Sequence, residues 1–199
     1  SGNNARMSLM PSNDFHQISA TGAYNFTKHT RLTAQASYGI ARQNEAFLPY
    51  TAFGTTIADQ GLPRSSLDGR VDKTLLDVAL TTKPIDKMNL KVAYQYRHNN
   101  NKTPINQYFY ASRDGNQTDV IPDPAAGSAT VRSNAPMSTK EQKFIVDGDY
   151  RIMDRTTLRA SFEHTDEFYI FPMYSPYSRQ KQRVLLSIDV EKSDRATQN

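Results

Sequence analysis

From Arg31 the chain alternates polar and apolar positions. Leu32, Ala34, Ala36, Tyr38 and Ile40 are separated by Thr33, Gln35, Ser37 and Gly39. The alternation returns at Leu90, Val92, Tyr94 and Tyr96 against Lys91, Ala93, Gln95 and Arg97. It returns again at Leu158, Ala160 and Phe162 against Arg159, Ser161 and Glu163. A period of two predicts β-strands, because successive side chains leave opposite faces of the pleat. One face of each strand is then apolar, and the other carries amides and charges. That is the pattern of a membrane barrel wall, with lipid outside and water within.

Seven strands are predicted on this basis, near residues 15–26, 31–41, 72–82, 88–98, 142–151, 157–165 and 181–192. Their predicted lipid-facing positions are Ile18 and Tyr24, Leu32 and Tyr38, Leu76 and Val78, then Leu90, Val92 and Tyr94. The later strands add Phe144 and Val146, Leu158 and Phe162, then Val184, Leu186 and Ile188. The predicted inward positions are Gln17, Arg31, Gln35, Lys73, Asp77, Lys91, Gln95 and Arg97, then Lys143, Asp147, Arg159 and Glu163. The fold class implied is an all-β, antiparallel, up-and-down transmembrane barrel.

The connections sort by length. Short turns fall near 27–30, 83–87 (with Pro84 fixing the bend) and 152–156, whereas long links fall near 42–71, 99–141 and 166–180. Turns on one rim and long loops on the other is the asymmetry of outer-membrane barrels, whose turns face the periplasm and whose loops face outward. Leu32, Leu90 and Leu158 hold the same place after their turns, so each repeat is one hairpin plus one variable loop. Aromatics gather at strand ends, at Tyr24 and Phe26 on the turn side and at Tyr38, Tyr94 and Tyr96 on the loop side. They read as interfacial girdles; the plainer reading is the ordinary β-propensity of tyrosine.

Composition narrows the function classes. Only 37% of the 199 residues are hydrophobic, mean hydropathy is −0.68, and apolar runs are as short as Val184-Leu185-Leu186. This suits a single-layer wall better than a two-layer core. No run of about 18 apolar residues exists to form a transmembrane helix, which leaves a barrel open. Without cysteine there are no disulfides, no thiol nucleophile and no Cys-x-x-Cys-His attachment of haem. The net charge of +4 is dispersed among 20 acidic residues, without the basic cluster that nucleic-acid binding needs.

Seven is an odd count, and strand numbers in single-chain bacterial barrels are even and begin at about eight. The expectation is therefore a segment of a larger barrel. Several blocks carry a resemblance: Arg6-Met7-Ser8-Leu9-Met10-Pro11-Ser12-Asn13-Asp14-Phe15-His16-Gln17, Thr30-Arg31-Leu32-Thr33-Ala34, Ser37-Tyr38-Gly39 and Ala46-Phe47-Leu48-Pro49-Tyr50-Thr51. With them go Ser66-Leu67-Asp68-Gly69-Arg70-Val71-Asp72, Pro84-Ile85-Asp86-Lys87-Met88-Asn89-Leu90 and Tyr94-Gln95-Tyr96-Arg97. As a set they resemble the MtrB/PioB family of decahaem-associated outer-membrane proteins, over roughly residues 5–110 and by pattern beyond. The resemblance implies a bacterial outer-membrane barrel sheathing a periplasmic multihaem c-type cytochrome in its lumen. It also implies an electron conduit toward an extracellular multihaem cytochrome or other acceptor at the loop rim. The haem would belong to the partner, with no cofactor in this chain.

Mixed charge signs on the inward face argue against a strongly ion-selective pore, which needs rings of one sign. The residues alone leave open whether those groups meet a partner or merely line a water-filled channel; the resemblance favours a partner. Four histidines (His16, His29, His98 and His164) lack ligand spacing. The Arg113–Asp119 segment reads as an Asx-rich turn rather than a calcium loop. Glu163, Asp166 and Glu167 have no evident apolar pocket to tune them as an acid–base pair. Phe168, Tyr169, Phe171, Tyr174 and Tyr177, with Pro172 and Pro176, are expected in the third long loop, as a docking patch or packed within it. The expected function is a sheath without chemistry of its own. A porin or transporter passing solute, and a soluble β-rich binding protein or adhesin stalk, are the alternatives.

Overall fold

The computed structural model describes residues 10–47, 62–110, 130–172 and 176–190. Seven long strands form one antiparallel sheet: β1 (Asp14–Asn25), β2 (Thr30–Gln43), β3 (Gly69–Ile85), β4 (Met88–Asn101), β7 (Ser138–Met153), β8 (Thr156–Ile170) and β9 (Tyr177–Val190). Two short strands, β5 (Gln107–Tyr110) and β6 (Thr130–Ser133), pair with each other inside the link from β4 to β7. The spatial order is β1-β2-β3-β4-β7-β8-β9, each strand beside its neighbour in sequence within the large sheet, and the sheet is not closed. Up-and-down order follows from the short turns, since a hairpin link forces adjacent antiparallel pairing.

No second layer covers this sheet. Among the described residues the buried apolar side chains are Ala93 and Pro136, and the buried polar ones are Asp72, Ser138 and Thr165. Large apolar groups stand open instead: Ile18 and Leu186 are each 74% exposed. An exposed apolar face of this extent is the kind of surface that meets another apolar surface or medium.

The turn rim is tight. Phe26 N–H donates to the Thr30 carbonyl at 3.0 Å, and His29 N–H donates to Thr27 Oγ1 at 3.2 Å. Asp86–Lys87 and Asp154–Arg155 close the next two hairpins through the pairs Ile85↔Met88 and Met153↔Thr156. Neither turn has a positive φ. Such turns match the strand twist poorly, and each is flanked by a register shift, between Thr82 and Ile85 and between Arg151 and Met153. Pro84 was expected to bend the turn; it lies instead in β3 inside the first of these shifts, where a residue without an N–H costs no ladder bond.

On the opposite rim the strands run further than the alternation alone indicated. Most of 166–180, expected as a long loop, is strand: β8 extends to Ile170 and β9 starts at Tyr177. Cross-strand pairs such as Glu167↔Arg179 continue the ladder beyond the point where clean alternation fades. At the base of the β2–β3 link, Ala46 bridges Ser66, the Ser66 hydroxyl bonds Asn44, and Phe47 N–H donates to the Ser65 carbonyl at 2.8 Å. Asp68 adopts a left-handed φ of 49°, with Arg64 Nη2 on its carboxylate at 2.9 Å. Phe47 meets Tyr108 of β5 edge to face at 6.0 Å, so the first two long links touch.

Candidate luminal surface

Cross-strand partners share a face, so the registers sort side chains without ambiguity. The row Tyr24–Leu32–Leu80–Val92–Val146–Phe162–Val184 crosses all seven strands with no polar member. All sixteen residues predicted to face lipid fall on this face. The row Thr21–Gln35–Asp77–Gln95–Lys143–Thr165–Lys181 belongs to the other face, as do all twelve residues predicted to point inward. Leu75, Ile145 and Leu185 also lie on that second face, which is therefore polar but not uniformly so.

The sheet curls toward its polar face. A hollow of about 1070 Å³ opens at the turn end and is lined from all seven strands, from Asn25 of β1 to Ser187 of β9. Curvature of this sense makes the polar face concave and the apolar face convex.

The polar face is held by ion pairs and hydrogen bonds between neighbouring strands. Arg97 pairs with Glu141 at 3.2 Å, Lys143 with Glu163 at 2.8 Å, Lys181 with Glu167 at 2.5 Å and Arg159 with Asp189 at 2.8 Å. Asn89 Nδ2 donates to Asp149 at 2.7 Å, and the Ser161 hydroxyl donates to Asp147 at 2.5 Å. These pairs lie mostly on β7, β8 and β9. On β1 and β2 the same face carries Gln17, Ser19, Thr21, Thr33, Gln35 and Ser37, with Arg31 as its charge. Lys73 sits over the Phe15 ring at 5.2 Å, and that ring packs on Gly39, where a Cβ would come within 2.8 Å of it.

The apolar face shows a second regularity, invisible without the register. Its continuous apolar run ends on the loop side at Ile18 in β1, Ile40 in β2, Leu76 in β3, Tyr96 in β4, Phe144 in β7, Phe162 in β8 and Val184 in β9, rising two residues from β1 to β2 and descending from there. The hydrogen-bonded row through Val184 meets β1 at Tyr24, six residues from Ile18, over six strand-to-strand steps. From end to end the limit thus drops on average one residue per strand, about 3.4 Å for each lateral 4.8 Å, which is a strand tilt of about 35°. Transmembrane barrel strands tilt by roughly 35–45°. From Met88 to Tyr96 the band is eight residue steps, about 22 Å when projected at that tilt, against a belt of about 25 Å in such barrels. A level apolar belt on tilted strands produces this diagonal.

Beyond the belt the convex face becomes polar: Thr74, Asp72 and Arg70 on β3, Lys140 and Gln142 on β7, His164 and Asp166 on β8, Gln180 and Gln182 on β9. Asp72 was not singled out from the sequence. It is buried, pairs with Arg70 Nε at 2.8 Å and Lys102 Nζ at 2.6 Å, and accepts the Tyr38 hydroxyl at 3.1 Å. The i, i+2 spacing of Arg70 and Asp72 was the signal, as it puts both on one strand face. Lys140 lies 5.8 Å from both the Tyr96 and Phe168 ring centres.

The remaining candidates do not assemble into a reactive site. His16, His98 and His164 stand on the convex face of different strands and His29 in a turn, and the described residues hold no metal-binding group. His164 pairs with Asp166 at 3.3 Å, whereas Glu163 and Glu167 face the other way, each on its own lysine. Phe168, Tyr169 and Tyr177 are on strands rather than in a loop patch; Tyr169 and Tyr177 meet at 6.1 Å on the concave face. Arg113–Asp119 and Tyr174 lie outside the described residues.

The family described as outer membrane beta-barrel porin, MtrB/PioB, matches residues 1–170, which takes in β1 through β8. The chain belongs to the MtrB/PioB family. It is 27% identical over 157 residues to outer membrane protein MtrB of Shewanella baltica (strain OS185). That match covers 79% of this chain and 20% of the relative, so the chain spans about a fifth of the length of the relative it matches. Location in the outer membrane and a β-barrel fold follow from the family. The MtrB/PioB resemblance noted from short blocks thus extends over most of the sequence.

Proposed function

We propose that this chain is part of the wall of an outer-membrane barrel that encloses and insulates a multihaem c-type cytochrome for electron transfer across the membrane. In this reading the convex face meets lipid and the concave face lines the lumen. The observation that carries it is the concave face, where charges of both signs are tied in pairs across neighbouring strands, as in Lys143–Glu163 and Arg159–Asp189. A wall so neutralised has little ion selectivity but offers many fixed polar contacts, which suits a wet protein interface. The chain has no cysteine to attach haem itself, so the redox chemistry would be supplied by the bound cytochrome. What the wall supplies is exclusion of lipid and a lumen of set width. β3 alone runs 17 residues, about 45 Å of height at the inferred tilt, which is more than the membrane needs.

By the same reading the turns face the periplasm, where that cytochrome would enter. The long links face outward, where an extracellular multihaem cytochrome could dock at the rim. The test is purification of the full-length barrel from cells that make multihaem cytochromes. Stoichiometric haem absorbance in the barrel fraction, resistant to mild washing, is the expected result; a haem-free barrel would defeat the proposal. A solute-conducting porin is the second reading, favoured by the open hollow and by the family's description. Steady single-channel conductance from barrels isolated from cytochrome-producing cells would support it.

A further inference from the structure

The charges lining the hollow at the turn rim are not balanced as they are higher up the wall. Lys28, Arg31, Lys83, Lys91 and Arg159 line it together with Asp147 and Asp149, and with Asp189, the ion-pair partner of Arg159, which makes five cations against three carboxylates, a net of +2 with His29 neutral. Asp147 already accepts a hydrogen bond from Ser161 and Asp149 one from Asn89, and Arg159 is paired with Asp189. Lys91 stands opposite Asp147 in the ladder without forming an ion pair, and Lys28, Arg31 and Lys83 form none among the described residues. All four are exposed at the mouth. Uncommitted cations in a concave site focus the field and attract anionic groups, raising encounter rates and fixing orientation.

We infer that the turn-rim mouth is the acceptor for an acidic, carboxylate-bearing surface of the protein that enters the barrel. The inference rests on the sheath reading and adds to it where contact is made and with what chemistry. The paired charges on β7, β8 and β9 are satisfied internally, so they can give polar contact without preferring one partner over another. The free cations on the β1–β2 and β3–β4 side of the mouth are therefore the groups that select it. Since short turns in such barrels face the periplasm, an incoming periplasmic protein meets them first.

The experiment uses the full-length barrel with its cytochrome. Zero-length carbodiimide coupling of the wild-type complex, read by peptide mass spectrometry, is expected to join Lys28, Lys83 or Lys91 to aspartate or glutamate of the cytochrome. In parallel, a barrel carrying Lys28→Glu, Arg31→Glu and Lys83→Glu is expected to bind cytochrome about tenfold more weakly and to lose most of the salt dependence of binding. Membrane-assembled barrel is quantified in both, so that a folding defect is not read as lost affinity. A wild-type complex cross-linked only through other lysines, or a variant with unchanged affinity and salt dependence, overturns the inference. A wild-type barrel without any cytochrome defeats the sheath reading instead.

Discussion

Val92 tests the lipid-facing assignment at its centre. It lies in the all-apolar row that runs from Tyr24 to Val184, midway between Met88 and Tyr96, and so near mid-depth of the belt. In Val92→Arg a guanidinium is driven into hydrocarbon with no acidic residue in the same row. The cost for arginine at the midplane of a barrel's lipid face is about 2–4 kcal/mol, falling to about 0–1 kcal/mol at the interface. Tyr96→Arg, at the loop-side limit of the belt, is therefore expected to cost under about 1 kcal/mol once packing of the ring is allowed for. Gln35→Arg places the same group on the concave face beside Asp77, with an expected change within about 0.5 kcal/mol. The assay is reversible urea unfolding of the full-length barrel in lipid vesicles, read by circular dichroism at fixed lipid ratio. Equal costs for Val92→Arg and Gln35→Arg, or a Val92→Arg cost under 1 kcal/mol, would refute the assignment of faces. Equal costs for Val92→Arg and Tyr96→Arg would leave the faces standing and remove the inferred tilt.

Cysteines introduced at Gln142 and Gln182, above the diagonal limit, are expected to react with a membrane-impermeant maleimide on whole cells; cysteines at Val146 and Leu186 are expected not to, and uniform labelling would refute the belt. Asp72→Asn leaves Arg70 and Lys102 without their shared carboxylate and is expected to cost about 1–3 kcal/mol by urea unfolding, because the group is buried. A double-mutant cycle on the exposed Arg159–Asp189 pair is expected to give a coupling below about 1 kcal/mol, shrinking further in high salt, and a larger value would mean that the pair is shielded in the closed barrel.

Alternation made most of the wall legible because a strand with one wet and one apolar face must repeat every two residues, and nothing else in Leu32–Ile40 or Leu90–Tyr96 competes with that reading. The weak places were those where both faces turn polar. Above Phe162, β8 continues through His164, Asp166 and Glu167, where the alternation carries no hydrophobic signal and the sequence alone predicts a loop. Asp72 was missed as a structural centre for a related reason. Its partners Arg70 and Tyr38 are visible as residue types, but only the β2–β3 register brings the hydroxyl to the carboxylate. The β5–β6 hairpin was hidden inside a long link because its four-residue strands show too little periodicity to register.

Facing is a property of each strand, whereas depth is a property of the sheet. Any one strand states which residues meet the apolar medium, yet the diagonal limit from Ile18 to Val184 appears only after six registers are chained together. The same step separates two kinds of charge on the concave face. Lys143 and Arg159 resemble Arg31 and Lys83 in sequence, but pairing consumes the first two and leaves the second two open. A wall that holds a partner needs both: satisfied pairs keep the strands in register without favouring any ligand, and unsatisfied cations confer the preference. Specificity for an enclosed protein should then concentrate at the turn-rim mouth, and replacing Lys143 and Glu163 together by a neutral pair should leave partner binding intact while loosening the wall.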